Sequence, residues 1–410
     1  MRKKVTVDEF VIRPIKAIVF GDSGYSRGVW GRLIQGLNDN DIDNLNCVIV
    51  RDKPCDKNQR QFNRYALSFK KGAKEILRDI NCVSGVIDAY NNFNAFSDLA
   101  DNNHISTILF APEEKTWINK NNTIKNEQTN PLGLLTMLLF RRFCQEKKGF
   151  SIISGINEDH NGEVLKAEII EYSHVRGLGM DFINWLTMEN QFINSFVETR
   201  VGNQKIDANL IVSAENYFLC VLDKEDGLIS LNNEVMINPE LSSYYVLRRH
   251  IFDGALCSAC AYALLHDVKT LDAFMLREKL VKHMTVSVFE EIIPALDVNF
   301  ETTQAYTVEL LQRFEDASLS VKWSDYAENL GDKFKESIVP LIRRYAEIHE
   351  KLPKHLVFSL FCTMKLYDVM NINDDFSRKL KECKNIYTDL WGEDISYLKE
   401  ELDYFEKKMG

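Results

Sequence analysis

Short apolar runs separated by helical stretches fill the first half of the chain, and this alternation restricts its fold more than any other feature. Lys16-Ala17-Ile18-Val19-Phe20 is a β-rich run that stops at Gly21. From Gly28 to Leu37, Val29, Leu33 and Leu37 share one helical face. Cys47 to Val50 reads as a second, buried strand and Val83 to Ile87 as a third apolar run; Tyr90 to Ala100 reads as a helix and Ile105 to Phe110 as a strand. After a polar, Asn-rich stretch from Lys115 to Asn130, expected as a surface loop, Leu132 to Cys144 reads as a helix and Phe150 to Ile153 as a strand. Strands alternating with helices predict βαβ units and a parallel sheet.

The second half changes character. A strand at Ile206 to Val212 is the last before a nearly all-helical stretch, so the boundary is expected near residue 210, giving domains 1–210 and 211–410. Asn238-Pro239-Glu240 carries a helix start signal: a capping Asn, Pro at the first helical position and an acid in the first turn. Phe334 to Glu350 and Lys354 to Val369 read as later helices. The fold class expected is α/β plus α.

Charge and cysteine content narrow the partners. Lys and Arg number 50 against 60 Asp and Glu, a net charge of −10, which disfavours nucleic acid as a main partner. No run of about 18 apolar residues suggests a membrane span. Met1-Arg2-Lys3-Lys4-Val5 is followed by Asp8-Glu9 rather than by the apolar core of a signal peptide. We therefore expect a cytoplasmic chain. Nine scattered cysteines fit reduced thiols. The sole C-x-x-C, Cys257 to Cys260, has no second ligand pair, so these read as small buried helix residues and no metal is expected.

Phe20-Gly21-Asp22-Ser23-Gly24-Tyr25-Ser26-Arg27-Gly28 joins the first strand to the first helix. A dinucleotide fold places its pyrophosphate there, on N–H groups at the helix N-terminus. The usual G-x-G-x-x-G spacing is altered: Ser23 occupies the second glycine position. The segment reads either as a nucleotide loop, with Gly21, Asp22, Ser23, Gly24 and Arg27 around the phosphates, or as a plain strand–helix turn. Arg27 suits a phosphate or an ion pair. At the end of the second strand, Asp52 suits the ribose hydroxyls of NAD, whereas Arg51 suits the 2′-phosphate of NADP.

With these pieces placed, the chain resembles the long-chain polyol and aldonate dehydrogenases, the mannitol dehydrogenase family, and within it the tagaturonate reductase (altronate oxidoreductase) branch. Phe20-Gly21 through Arg27-Gly28 is similar to the family's F-G-x-G-x-F-x-R-G. Val86-Ile87-Asp88-Ala89-Tyr90 with Leu99-Ala100-Asp101-Asn102 resembles the region before its nicotinamide loop. His160-Asn161-Gly162-Glu163-Val164-Leu165-Lys166 resembles its N-N-G-x-x-L-K segment. Glu290-Glu291-Ile292-Ile293-Pro294 and Leu352-Pro353-Lys354-His355-Leu356-Val357-Phe358-Ser359 resemble helical-domain signatures. The resemblance runs from about Ala17 to Tyr367. It implies a Rossmann-type N-terminal domain, a mainly helical C-terminal domain and a substrate cleft between them. It also implies metal-free hydride transfer between NAD or NADP and a sugar acid or polyol.

The resemblance further implies a Lys base, an Asn five residues on and a His three further, spanning about 140° of an α-helix. Here Ile251, Gly254 and Ala255 keep the segment aligned, but the three positions carry Arg248, Asp253 and Leu256. Arginine stays protonated at neutral pH, an ionised Asp has no donor, and Leu has no polar atom. Arg248 reads either as a salt-bridge partner of Asp253 or as an anion-binding group for a sugar-acid carboxylate. The family's S-N-T-T-E appears as Phe110-Ala111-Pro112-Glu113-Glu114, and its P-C-E as Ser154-Gly155-Ile156. His250 and His266 read as structural histidines. The function expected is that of a divergent NAD(P)-dependent oxidoreductase on hexuronate, aldonate or polyol substrates; the alternative is an inactive homologue that binds a ligand or partner.

Overall fold

The computed structural model describes residues 13–54, 63–71, 74–112, 130–202, 205–206, 210–316, 319–370 and 372–409. It divides into two compact units, Met1–Leu241 and Ser242–Gly410. The division falls after Leu241 rather than at residue 210, because the strands between these positions pair back into sheets of the first unit.

In chain order the strands are β1 (Ile15–Phe20), β2 (Asn46–Val50), β3 (Tyr65–Lys71), β4 (Lys74–Ile80), β5 (Val83–Ile87), β6 (Thr107–Phe110), β7 (Ser151–Ser154) and β8 (Gln191–Ile193). They continue as β9 (Ser195–Glu198), β10 (Lys205–Ile206), β11 (Leu210–Ser213), β12 (Leu219–Leu222) and β13 (Val235–Ile237). Six form a wholly parallel sheet in the order β5-β2-β1-β6-β7-β8. Counted within that sheet, this is the doubly wound order 3-2-1-4-5-6, whose direction reverses between β1 and β6.

Its inner strands β2, β1, β6 and β7 are largely apolar without alternation because both faces are covered. Ala17, Val19, Cys47, Ile49, Leu109 and Ile153 enter one core. Ile18, Phe20, Val48, Val50, Ile108, Phe110 and Ile152 enter the other. Two smaller sheets, β10-β11-β3-β4 and β13-β12-β9, complete the unit. The single strand expected at Ile206 to Val212 is two antiparallel ones, with Ile206 opposite Leu210.

The N-N-G-like segment owes its residues to packing. Asn161 Nδ2 donates to the carbonyls of Ile156 and Ser195, and its Oδ1 accepts from Ser195 N. A side chain at Gly162 would press on the Ile193 carbonyl carbon, 2.7 Å from the added Cβ. Asn194 Oδ1 accepts from the Gly162 and Glu163 amides and satisfies the start of helix Asn161–Arg176.

The second unit is helical around one apolar core. Its first helix begins at Ser242, not at Asn238-Pro239, because Asn238 Oδ1 accepts from Glu240 N two residues on and closes a turn. The helix expected from Phe334 to Glu350 is two, Leu330–Ser337 and Val339–His349, since Pro340 lacks the N–H that would continue the ladder. Lys354–Val369 is helical as expected. No helix among the described residues is long and apolar enough to cross a membrane.

A π-turn at Ser287–Ile292 presents Glu291, whose carboxylate accepts from the amides of His355 and Leu356 at 3.0 and 2.8 Å and from His355 Nδ1 at 3.0 Å. One signature segment therefore caps the helix that the other begins. Glu291 raises the pKa of His355. Nearby, His283 Nε2 lies 2.8 Å from Ser359 Oγ; burial first, and the His355 charge second, push His283 down to about 3.

An unfolded His titrates near about 6.5, so below that pH the unfolded chain binds the proton that His283 refuses, and stability falls with pH. His355 shifts the other way. Its contribution is fully present below about 6.5 and is lost only as pH rises through its folded pKa, so it adds no slope on the acid side. His283→Gln is expected to remove up to about 1.4 kcal/mol per pH unit of acid sensitivity between about pH 6.5 and 5. Denaturant midpoints of both proteins across that window check this, and parallel midpoint curves would refute it.

Candidate functional site

The first strand ends at the point where the sheet reverses direction, and doubly wound sheets bind their ligands there, beyond the carboxyl ends of the strands. Gly21 makes the exit turn at φ +111°, with its amide donating to Val50 O at 2.9 Å. A Cβ at Gly21 would overlap the Ala111 carbonyl oxygen and lie 2.7 Å from Ser26 Oγ. Only glycine lets the end of β1 come so close to the residue that follows β6.

Ser23, standing in place of the second glycine, is the helix N-cap: its Oγ accepts from Ser26 N at 3.1 Å. Ser26 Oγ donates to Ala111 O at 2.8 Å, tying the cap to the end of β6. The helix runs from Gly24 to Asp39 through a π-turn at Arg27–Gly31, so it starts four residues before the Gly28 expected from periodicity. Asp22 and Ser23 stand immediately before its positive end.

Asp22 gathers the cations. Arg27 Nε and Nη2 each lie 2.7 Å from its Oδ1, and Arg51 Nη2 lies 3.3 Å from its Oδ2. Arg27 is 3% exposed and Arg51 6%, so both charges depend on a partner. Arg27 thus takes the ion-pair role within this loop, but as a buried group rather than a surface one. Its guanidinium also lies over the Tyr65 ring at 5.0 Å, and Tyr65 Oη donates to Arg27 O at 2.7 Å. Asp52 is buried, and its carbonyl accepts from Tyr90 Oη at 2.8 Å. Sequence reasoning missed Tyr65 and Tyr90. The period-two pattern of Tyr65, Leu67 and Phe69 is the one signal for the first; the second ends the Val86 to Tyr90 segment, but nothing local marks its hydroxyl as a partner of Asp52.

In the helical unit Arg248 lies in a π-turn, Leu247–Phe252, that runs directly into helix Asp253–Leu265. Asp253 N donates to Arg248 O, an i+5 bond that brings together side chains an uninterrupted α-helix would separate by about 140°. Arg248 Nε lies 3.7 Å from Asp253 Oδ2, and the Arg248 guanidinium stacks at 3.8 Å over the Phe252 ring. Both charged side chains are about one-third exposed, at 30% and 31%. Leu256 does not join them: it is 2% exposed within the helical core.

His250 Nδ1 is 2.8 Å from Ser337 O, and burial lowers its pKa, while His266 packs edge-on to Tyr262. Both are thus engaged in scaffold contacts. Cys257 and Cys260 are buried in the core, and burial pushes the Cys257 thiol up to about 12 and the Cys260 thiol well above its ordinary value. Among the described residues no group of three or more His, Cys, Asp or Glu is placed to hold a metal ion. Glu113, Glu114 and the Asn-rich stretch up to Thr129 lie outside the described residues.

Known proteins share this pattern. The mannitol dehydrogenase Rossmann domain profile matches residues 15–233. Altronate oxidoreductase of Bacillus subtilis (strain 168) is 26% identical over 405 residues, covering 91% of this chain and 84% of its own. That of Halalkalibacterium halodurans is 24% identical over 388 residues, covering 86% and 75%. Among solved structures, Pseudomonas fluorescens mannitol 2-dehydrogenase, in a ternary complex with NAD and D-mannitol, has the same fold. Its TM-score is 0.77 at 14% identity over 98% of this chain and 92% of its own. Substrate-free D-sorbitol dehydrogenase gives a TM-score of 0.76 at 17% identity over 95% and 91%. Since the profile spans more than half of the chain and ends within the doubly wound unit, the chain belongs to the mannitol dehydrogenase family.

Proposed function

We propose that the chain binds a nicotinamide dinucleotide and a hexuronate, aldonate or polyol, as a divergent member of the oxidoreductases it resembles. One observation carries this reading: Gly21 turns β1 into a capped helix at the switch point of a 3-2-1-4-5-6 sheet. The residues fit the cofactor. Gly21 keeps the approach to the helix N-terminus clear of a side chain, and Arg27 and Arg51 stand beside it on Asp22. Gly21, Ser23 and Gly24 would hold the pyrophosphate, with Arg27 kept on Asp22, and Asp52 would hold the ribose. When bound, the group supplies or accepts a hydride.

Arg248, Asp253 and Leu256 favour a second reading, in which the ligands are bound but turned over slowly or not at all. A guanidinium stays charged at neutral pH and does not take a proton. Its proximity to Asp253 supports an ion pair, and Arg248 would serve a sugar-acid carboxylate as an anion contact rather than as a base.

Calorimetric titration with NADH tests the binding step. A dissociation constant of about 1 μM to 1 mM is expected, within the span of ordinary enzyme ligands. No heat of binding with either NADH or NADPH would overturn the proposal.

A further inference from the structure

Helix Lys399–Met409 of the second unit is docked by one face and exposes another. Leu402 is buried in the helical core, the Phe405 ring lies 5.2 Å from that of Phe358, and Lys365 Nζ donates to Glu406 Oε1 at 2.8 Å. Glu400, Asp403, Tyr404 and Lys407 are all exposed, and their offsets put them on one helical face. Among the described residues neither Glu400 nor Lys407 has an ion-pair partner. We propose that this face binds the same face of a second copy of the chain, antiparallel, about a two-fold axis between Asp403 and Tyr404.

Charge complementarity selects that occupant. Turning the helix end for end about the axis sets Glu400 opposite Lys407 of the second copy, and Asp403 opposite its Tyr404; symmetry repeats both pairs. Each carboxylate then meets a cation or a phenol. Lys408 Nζ donates to Tyr404 Oη at 3.4 Å, so the phenol keeps its own proton to donate to Asp403 of the second copy. A parallel arrangement would instead set Glu400 against Glu400 and Lys407 against Lys407. The helix macrodipole accounts for acids in the first turn and bases in the last. It does not account for Tyr404 standing between them at 50% exposure, whereas tyrosine is favoured at the centre of an interface. The helix has 11 residues and spans about 16 Å, so the contact is smaller than the roughly 1,200–2,000 Å² of a stable interface. The dimer is therefore weak and salt-sensitive, with a dissociation constant of about 10–100 μM.

The test is sedimentation velocity of the full chain at about 1–200 μM, in about 0.02 M and 0.5 M salt. A concentration-dependent dimer is expected in low salt, at least about tenfold weaker in high salt. Glu400→Lys with Asp403→Lys makes the face basic, and Lys407→Glu with Lys408→Glu makes it acidic. Each variant alone should be monomeric, and an equimolar mixture of the two should dimerise. All four positions are exposed, so both variants are expected to fold, which their denaturant midpoints check. Tyr404→Ala changes no charge and serves if the reversed variants do not fold; it should weaken the dimer at least about tenfold. A monomer at every concentration in low salt, a dimer that survives either reversal or Tyr404→Ala unchanged, or reversed variants that stay monomeric when mixed would overturn the inference.

Discussion

Gly21→Ala is expected to lower dinucleotide affinity at least about a hundredfold, a loss of roughly 2.7 kcal/mol. Gly21 has φ +111°, where a side chain is strained, and the new Cβ would overlap the Ala111 carbonyl oxygen. Backbone on both sides of the contact is fixed: Ala111 N donates to Phe20 O at 3.0 Å, and Gly21 N donates to Val50 O at 2.9 Å. Relief therefore requires the loop to move, taking Ser26 Oγ off Ala111 O and the cap residue Ser23 with it. The same strain should cost about 1–3 kcal/mol of stability. NADH titration of the variant, with its denaturant midpoint as a folding check, measures both effects. A folded Gly21→Ala protein with unchanged NADH affinity would remove this loop as the binding site.

The fold was legible where both faces of an element are buried. Cys47 to Val50 reads as a continuous apolar run because the parallel sheet is covered on each side there, whereas Val83 to Ile87, interrupted by Ser84 and Gly85, is the partly buried edge strand. Where local signals compete, legibility failed. Asn130-Pro131 and Asn238-Pro239 look alike, yet the first starts a helix and the second does not. Asn130 Oδ1 accepts from Gly133 N three residues on, the spacing of a cap, whereas Asn238 accepts from Glu240 two residues on, the spacing of a turn.

The candidate site divides in the same manner. Gly21 and Ser23 were readable from their neighbours in sequence. Arg51 reaches Asp22 through the pairing of β1 with β2, and Tyr65 reaches Arg27 through the contact of β3 with the first helix, so both contacts join residues far apart in the chain. Arg248 and Asp253 meet because of a π-turn, and the spacing argument assumed an uninterrupted α-helix. That argument also set Leu256 on a common face, but its side chain lies in the core.

The unmodified protein is expected to reduce tagaturonate or fructuronate very slowly even when loaded with NADH. A general acid–base group, which in the reduction direction donates a proton to the substrate oxygen, contributes about 10²–10⁴ in rate. Typical turnover of about 10 per second without it becomes roughly 10⁻³–10⁻¹ per second. Arg248 cannot replace that group, because reduction needs a proton delivered to the forming alkoxide and a guanidinium holds its protons too tightly to release one near neutral pH; Asp253 is 3.7 Å from it, and Leu256 offers no polar atom. Arg248→Lys with Asp253→Asn restores two of the family's groups on the exposed side of the π-turn. Leu256→His must put an imidazole into packed core at 2% exposure, so the triple replacement is expected to recover only part of the missing rate.

The most direct test is the steady-state rate of NADH or NADPH oxidation by the unmodified protein, with saturating tagaturonate or fructuronate near neutral pH. The account predicts about 10⁻¹ per second or less. Robust turnover within the usual enzymatic range of about 1–1000 per second would contradict it, and would require a proton-transfer group other than Arg248, Asp253 and Leu256.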